Sequence, residues 1–136
     1  MRPHWDEVWM NVAQQIRRRS SDPKHKVGAI VVTFDNTQVL AVGYNGDEKG
    51  GPNERESLVM GESGFIHAEE NALIKCDYNN PKQKKMYITL SPCRMCAKRI
   101  INAGIDMVIY DEEYVDVTGI ELLKVYGIEV IKFTQE

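Results

Sequence analysis

Tyr87-Ile88-Thr89-Leu90-Ser91-Pro92-Cys93-Arg94-Met95-Cys96, continued to Asp106-Met107-Val108-Ile109-Tyr110, decides the fold. Tyr87 to Leu90 is short, β-branched and aromatic, and reads as a strand. Pro92 suits the opening of a helix, where its missing N–H costs nothing. The helical stretch runs to Asn102-Ala103-Gly104, where glycine is a stop signal. Asp106 to Tyr110 is again a strand. Strand, helix and strand in this order form a parallel crossover, and such crossovers are right-handed.

The same alternation continues downstream. Thr118 to Tyr126 reads as a helix stopped by Gly127, and Ile128 to Ile131 as a last strand. Upstream, Trp5, Val8, Trp9, Val12, Ala13 and Ile16 recur at helical spacing. That helix ends in Arg17-Arg18-Arg19, ahead of Pro23. Val27 to Val32 is almost wholly apolar, as in a strand buried on both faces. Asp35-Asn36-Thr37 is turn chemistry, and Val39 to Tyr44 returns as the second arm of a hairpin. Ile66 to Lys75 reads as a helix. The expected product is one α/β domain spanning residues 1–136, a three-layer α-β-α fold with a five-stranded mixed sheet. Between hairpin and helix, Asn45 to Gly64 is irregular and holds five of the ten glycines. A loop of that length in a small domain is usually functional or mobile.

Composition narrows the function. The 136 residues suit one core, and the net charge is −3. A protein that grips a phosphate polymer usually needs a basic face, so nucleic acid is not an expected partner. No apolar run is long enough to cross a bilayer, and the N-terminus lacks a signal-peptide stretch. A soluble, cytoplasmic protein is expected. Of three cysteines, two are spaced Cys-x-x-Cys, which reads as metal binding or redox rather than a disulfide framework.

The chemistry gathers at two predicted helix starts. His67 and Glu69 open one helix, and Cys93 and Cys96 open the other, at i and i+3 on one face. A helix N-terminus stabilises thiolates. His67, Cys93 and Cys96 make three ligands for Zn²⁺, and no fourth Cys or His lies nearby in sequence. Catalytic zinc sites keep one position open for water and lower that water's pKa to roughly 7. Glu69 is then free to move protons. A thioredoxin-like reading of the Cys-x-x-Cys leaves His67 and Glu69 unused. Cys76 is expected as an ordinary, partly buried cysteine, and His4 and His25 as surface residues.

His67-Ala68-Glu69 with Pro92-Cys93-Arg94-Met95-Cys96 resembles the zinc-dependent cytidine and deoxycytidylate deaminase superfamily, whose signature is His-x-Glu with Pro-Cys-x-x-Cys. Arg19-Ser20, Lys26 to Ala29, Gly43-Tyr44-Asn45-Gly46, His67 to Ala72 and Ile105 to Tyr110 with Tyr114 resemble its deoxycytidylate (dCMP) branch, most of all compact bacterial and phage members. The resemblance implies hydrolysis of dCMP to dUMP, in the host cytoplasm if phage-encoded. It implies one catalytic zinc per subunit, with Glu69 as acid–base. Asn45 would meet the sugar and the backbone around Ala68 the base edge. Ser20 to Lys26 would lie near the phosphate, with Lys24, Ser20 and Tyr110 as its candidates.

The resemblance further implies a homohexamer, activated by dCTP with Mg²⁺ and inhibited by dTTP. The effector site would include Tyr44, Asn45, Gly46, Lys49 and Gly50. There the chain departs from the family's Gly-x-Pro-x-Gly, since Glu48 stands where proline is usual. A carboxylate beside a triphosphate is unfavourable unless Mg²⁺ bridges them; Lys49 offers compensation. Some relatives hold a second zinc through a Cys in the segment matching Ser20 to Pro23, where this chain has Asp22. A tRNA or polynucleotide deaminase shares the zinc motif, but the acidic balance and Gly43 to Gly46 argue against it. A zinc-stabilised binding module would have no use for Glu69.

Overall fold

The computed structural model describes residues 1–135. The elements follow in the order α1 (Trp5–Arg17), β1 (Gly28–Thr33), β2 (Val39–Tyr44), α2 (Ala68–Lys75), β3 (Lys84–Leu90), α3 (Arg94–Asn102), β4 (Met107–Glu112), α4 (Thr118–Val125) and β5 (Glu129–Lys132). One five-stranded sheet has the order β2-β1-β3-β4-β5. β1 is antiparallel to β2 and β3, and β3, β4 and β5 are parallel. This is the expected mixed sheet.

All six residues of β1 are buried, as its unbroken apolar run predicts. Two cores lie on the two faces of the sheet. On one side, Met10 and Ala13 of α1 pack on Ile30, Val32, Tyr87 and Ile109. On the other, Ala68 and Ala72 of α2, Ala97 and Ile100 of α3, and Ile120 and Leu123 of α4 pack on Ala29, Val31, Met86, Ile88 and Val108. Gly28 and Gly43 set these spacings. A Cβ on Gly28 would stand 2.3 Å from the Ala13 carbonyl of α1. One on Gly43 would stand 2.4 Å from the Ala68 carbonyl and 2.5 Å from the Ala72 nitrogen of α2. The close approach at Gly43 therefore serves helix packing.

Several boundaries differ from the sequence reading. β3 begins at Lys84, three residues early, because two lysines disguise a buried strand. Lys84 Nζ donates to the carbonyls of Asn80 (2.6 Å) and Lys82 (3.0 Å). Lys85 Nζ lies over the Phe34 and Tyr87 rings, 5.8 and 5.4 Å from their centroids, which offsets its burial. α2 begins at Ala68, because Ile66 is held in an antiparallel bridge with Gly46 and His67 is the extended N-cap. α3 begins at Arg94, since Cys93 is itself the extended cap. No described helix is long and apolar enough to cross a membrane.

Candidate metal centre and active site

The C-terminal end of β3, the central strand, and the starts of α2 and α3 meet at one end of the sheet. Two reciprocal hydrogen bonds between Gly46 and Ile66 (3.1 and 2.9 Å) deliver the chain to His67. Ser91 leaves β3, donates its N–H to the Glu112 carbonyl (2.9 Å), and accepts Tyr114 N–H on its hydroxyl (2.7 Å). Cys93 follows two residues later, and its sulfur accepts the Cys96 N–H at 3.4 Å. α4 supports this turn from behind. A Cβ on Gly119 would lie 2.2 Å from the Pro92 carbonyl and 2.8 Å from Cys93 backbone atoms. Only glycine lets α4 come so close.

These supports bring His67, Cys93 and Cys96 together, with donor atoms all within 4.8 Å of one another. His67 Nδ1 is 3.1 Å from Cys96 Sγ and 3.7 Å from Cys93 Sγ. Ligand atoms at zinc bond lengths of roughly 2.1 and 2.3 Å on a tetrahedron are separated by similar distances. One imidazole and two sulfurs are borderline-soft donors that suit Zn²⁺, so donor chemistry and spacing both fit that ion. Among the described residues this is the one such cluster of three or more.

The protonation pattern of the metal-free site follows from contact and burial. The hydrogen bond with Cys96, against the cost of burial, and the bond to His67 hold the Cys93 thiol down at about 4. The same Cys93 contact, with burial added, pushes Cys96 up. His67 is raised by its hydrogen bond to Cys93, against burial. The pair of sulfurs thus keeps one proton, which a metal would displace. Glu69 is buried, at 4 % exposure, and burial pushes its carboxyl up to about 7, with His67 opposing. That value is close to the working range of a general acid–base.

Glu70, to which the sequence reading gave no role beyond the His67 to Ala72 segment, and Arg99, which it passed over, tie the two halves together. One Glu70 oxygen accepts His67 N–H at 3.2 Å, and the other meets Arg99 Nε at 3.2 Å. Arg99 Nη1 in turn donates to Cys96 Sγ at 3.9 Å. Both residues follow motif positions at one-helix-turn spacing, Glu70 three after His67 and Arg99 three after Cys96; that spacing was the available signal.

The remaining expected residues lie outside the donor cluster. Asn45 is buried next to Gly46. Its Oδ1 accepts Val27 N–H (2.9 Å), and its Nδ2 donates to the His25 carbonyl (2.7 Å) and Asp22 (3.3 Å). Ser20 is buried, and its hydroxyl accepts Asp22 N–H at 3.2 Å. Lys24 is exposed and donates to the Leu58 carbonyl at 3.1 Å. Tyr110 is buried in the α2–α3–α4 core, where burial, the charge of Glu113 and a bond to it push its phenol up. The Tyr44 carbonyl accepts Asn71 Nδ2 (2.8 Å). Lys49 and Gly50 lie in an exposed turn closed by Gly51 N–H on the Glu48 carbonyl, away from the paired backbone of Gly46. Cys76 is half-buried at the end of α2 and outside the donor cluster. His4 and His25 are exposed.

The family model for the cytidine and deoxycytidylate deaminase zinc-binding region matches residues 3–112. The chain belongs to this family. It is 34 % identical over 127 residues to the deoxycytidylate deaminase of Mycobacterium phage D29, covering 82 % of this chain and 98 % of that protein. It is 34 % identical over 127 residues to a probable deoxycytidylate deaminase of Drosophila melanogaster. That match covers 83 % of this chain but 62 % of the longer fly protein. A dCMP deaminase from cyanophage S-TIM5, solved in complex with dCMP and dUMP, superposes with a TM-score of 0.84. It is 36 % identical and covers 98 % of this chain and 99 % of that one. The family match spans both halves of the donor cluster, from His67 to Cys96, and the whole-chain superposition establishes the cytidine-deaminase-like α/β fold.

Proposed function

We propose that this protein hydrolyses dCMP to dUMP and ammonia, supplying the precursor for thymidylate synthesis. The observation that carries the reading is a buried carboxyl, Glu69, beside a His-Cys-Cys donor set, in a chain that aligns end to end with a dCMP deaminase. His67, Cys93 and Cys96 would hold the ion. Zinc, when bound, makes a water molecule nucleophilic at neutral pH. Glu69 takes one proton from the attacking water and gives it to the pyrimidine ring nitrogen; it then takes the second from the hydroxyl now on C4 and gives it to the amine, so that the C4–N bond breaks as the C4 carbonyl forms. One water is consumed and one ammonia released, and Glu69 ends in its starting state. Burial keeps these protons from exchanging with solvent.

In this reading the backbone of Ala68, at the N-terminus of α2, meets the base edge, and Asn45 meets the deoxyribose, exchanging one of its bonds to Val27, His25 or Asp22 to do so. Lys24, Ser20 and Tyr110 are the proposed phosphate contacts. Lys24 is best supported, because its ammonium is exposed and has exchanged water only for a carbonyl. Ser20 and Tyr110 would have to yield buried packing to take part. Tyr44 to Gly50 would take dCTP with Mg²⁺, or dTTP, with Lys49 exposed on its turn and Glu48 requiring the cation. Exposed Ile74, Tyr78, Val125 and Tyr126 supply apolar surface for a homohexamer. Action on a free nucleotide pool fits a cytoplasmic location.

The test is ammonia release from dCMP, cytidine, dCTP and tRNA in parallel, with and without dCTP-Mg and dTTP. dCMP should be the preferred substrate by a wide margin. Faster turnover of tRNA would replace the reading with a polynucleotide deaminase, and effector-independent rates would remove the regulatory part alone.

A further inference from the structure

The segment after α1 and the long loop before α2 are laced together by side chains. Ser21 Oγ donates to the Asn53 carbonyl at 3.0 Å, and Lys24 Nζ to the Leu58 carbonyl at 3.1 Å. Between them lies an ion pair, Arg55 Nη1 to Asp22 Oδ2 at 2.7 Å, whose side chains are 7 % and 3 % exposed. Arg55 Nε donates to the Ser57 carbonyl at 2.7 Å. Asp22 also accepts the N–H groups of Lys24 (2.8 Å) and His25 (3.3 Å), and Nδ2 of Asn45 (3.3 Å). Arg55 is thus the one cation on a buried carboxylate whose other donors are neutral.

A buried pair of this kind is held in one geometry, and loss of one partner strands the other charge. Its place gives that geometry a use. Asp22 holds the amide of Asn45, and the next residue, Gly46, bridges to Ile66, which precedes His67. Arg55 therefore ties the 46–64 loop to Asp22 and, through Asp22, to Asn45.

We propose that Arg55 is a positioning residue which, through Asp22, fixes Asn45 at the distance from His67 and Glu69 that the nucleotide sugar requires. This rests on the dCMP reading above. Arg55 need not touch the substrate. It sets the orientation of a residue that would.

The experiment compares Arg55→Met, Arg55→Lys and Asp22→Asn with the wild type in steady-state kinetics on dCMP, in dUMP binding by calorimetry, and in zinc content. Arg55→Met is expected to raise KM and weaken dUMP binding roughly tenfold or more, with kcat changed far less and zinc retained. Arg55→Lys should recover part of the loss. Asp22→Asn, which keeps volume, should reproduce it, and the double variant should add little, because the two act as one unit. An unchanged KM in a folded, zinc-loaded Arg55→Met, or in Asp22→Asn should the former not fold, overturns the inference, even if melting temperature drops. A wild type that neither deaminates dCMP nor binds dUMP removes the substrate reading itself, a distinguishable result.

Discussion

Gly46 and Ile66 are hydrogen-bonded neighbours, yet the chain on either side of that bridge is organised by different means. Beyond Ile66, His67 caps α2, Cys93 caps α3 and Cys96 lies in the first turn, so regular backbone places every ligand. Between Gly46 and Ile66, residues reach across the sequence: Ser21 to Asn53, Asp22 to Arg55, Lys24 to Leu58. The first region depends on helix starts and close packing against Gly43 and Gly119. The second depends on a few polar cross-links. The donor cluster thus rests on regular backbone, and the 46–64 loop on single side chains.

The largest effect that separates the two regions should come from Cys96→Ser. Zinc content of the purified protein should fall to near zero and deamination with it, because a three-ligand site has no spare donor. Cleavage of residues 46–64 by a protease should proceed as in the metal-loaded wild type, since their cross-links do not include Cys96. Full zinc stoichiometry in Cys96→Ser would undo the ligand assignment; a loop cut much faster would show that the two regions are coupled.

Glu69→Gln should keep zinc and fold and lower turnover by roughly 10² to 10⁴. Near-normal kcat removes the acid–base role. A second readout comes from pH. The Glu69 carboxyl is raised from 4.5 to about 7 in the folded, metal-free protein. A raised carboxyl favours the folded state when protonated, so its contribution is present below about pH 4.5 and is lost as pH rises through 7. The loss is on the order of a few kcal/mol. Metal-free wild type should therefore lose stability between about pH 4.5 and 7 in urea melts, and Glu69→Gln should lose less. Parallel curves would show that burial does not tax the carboxylate.

Gly119→Ala tests whether close packing holds the ligand turn. The added methyl meets backbone, which cannot rotate away, and overpacking of this kind costs about 1–3 kcal/mol. Because the displaced atoms belong to Pro92 and Cys93, zinc should also bind more weakly in chelator competition. Lost stability with unchanged zinc affinity would confine Gly119 to a packing role.

The same division explains what could be read in the residues themselves. Alternating strand and helix patterns carried the parallel half of the sheet. His67, Glu69, Cys93 and Cys96 announced the centre because caps and i, i+3 spacing are local. Lys84 and Lys85 hid the start of β3, since their charges are absorbed by backbone carbonyls and aromatic rings, which leave no mark in a hydrophobic period. Asp22 and Arg55 stand 33 residues apart, and nothing in either neighbourhood marks them as partners. Gly119 was visible as a glycine in a helix, but not what it touches. Long-range polar pairing has no period, so periodicity could not reveal it.

Arg99→Leu should give the smallest effect, and it probes the polar link between α2 and α3. Arg99 joins Glu70, which accepts His67 N–H, to Cys96 Sγ. The Arg99 and Glu70 side chains are 41 % and 22 % exposed, so the ion pair itself adds little to stability in salt solution. Groups that orient metal ligands nonetheless change affinity by 10- to 100-fold. With an exposed guanidinium, the lower end applies: about tenfold weaker zinc in chelator competition, a melting temperature close to wild type, and partial recovery in Arg99→Lys. Since Arg99 does not reach the 46–64 loop by any hydrogen bond or ion pair, KM of the zinc-saturated variant should stay put. A raised KM with normal zinc affinity would place Arg99 on the other side of the comparison, with the residues that hold the 46–64 loop.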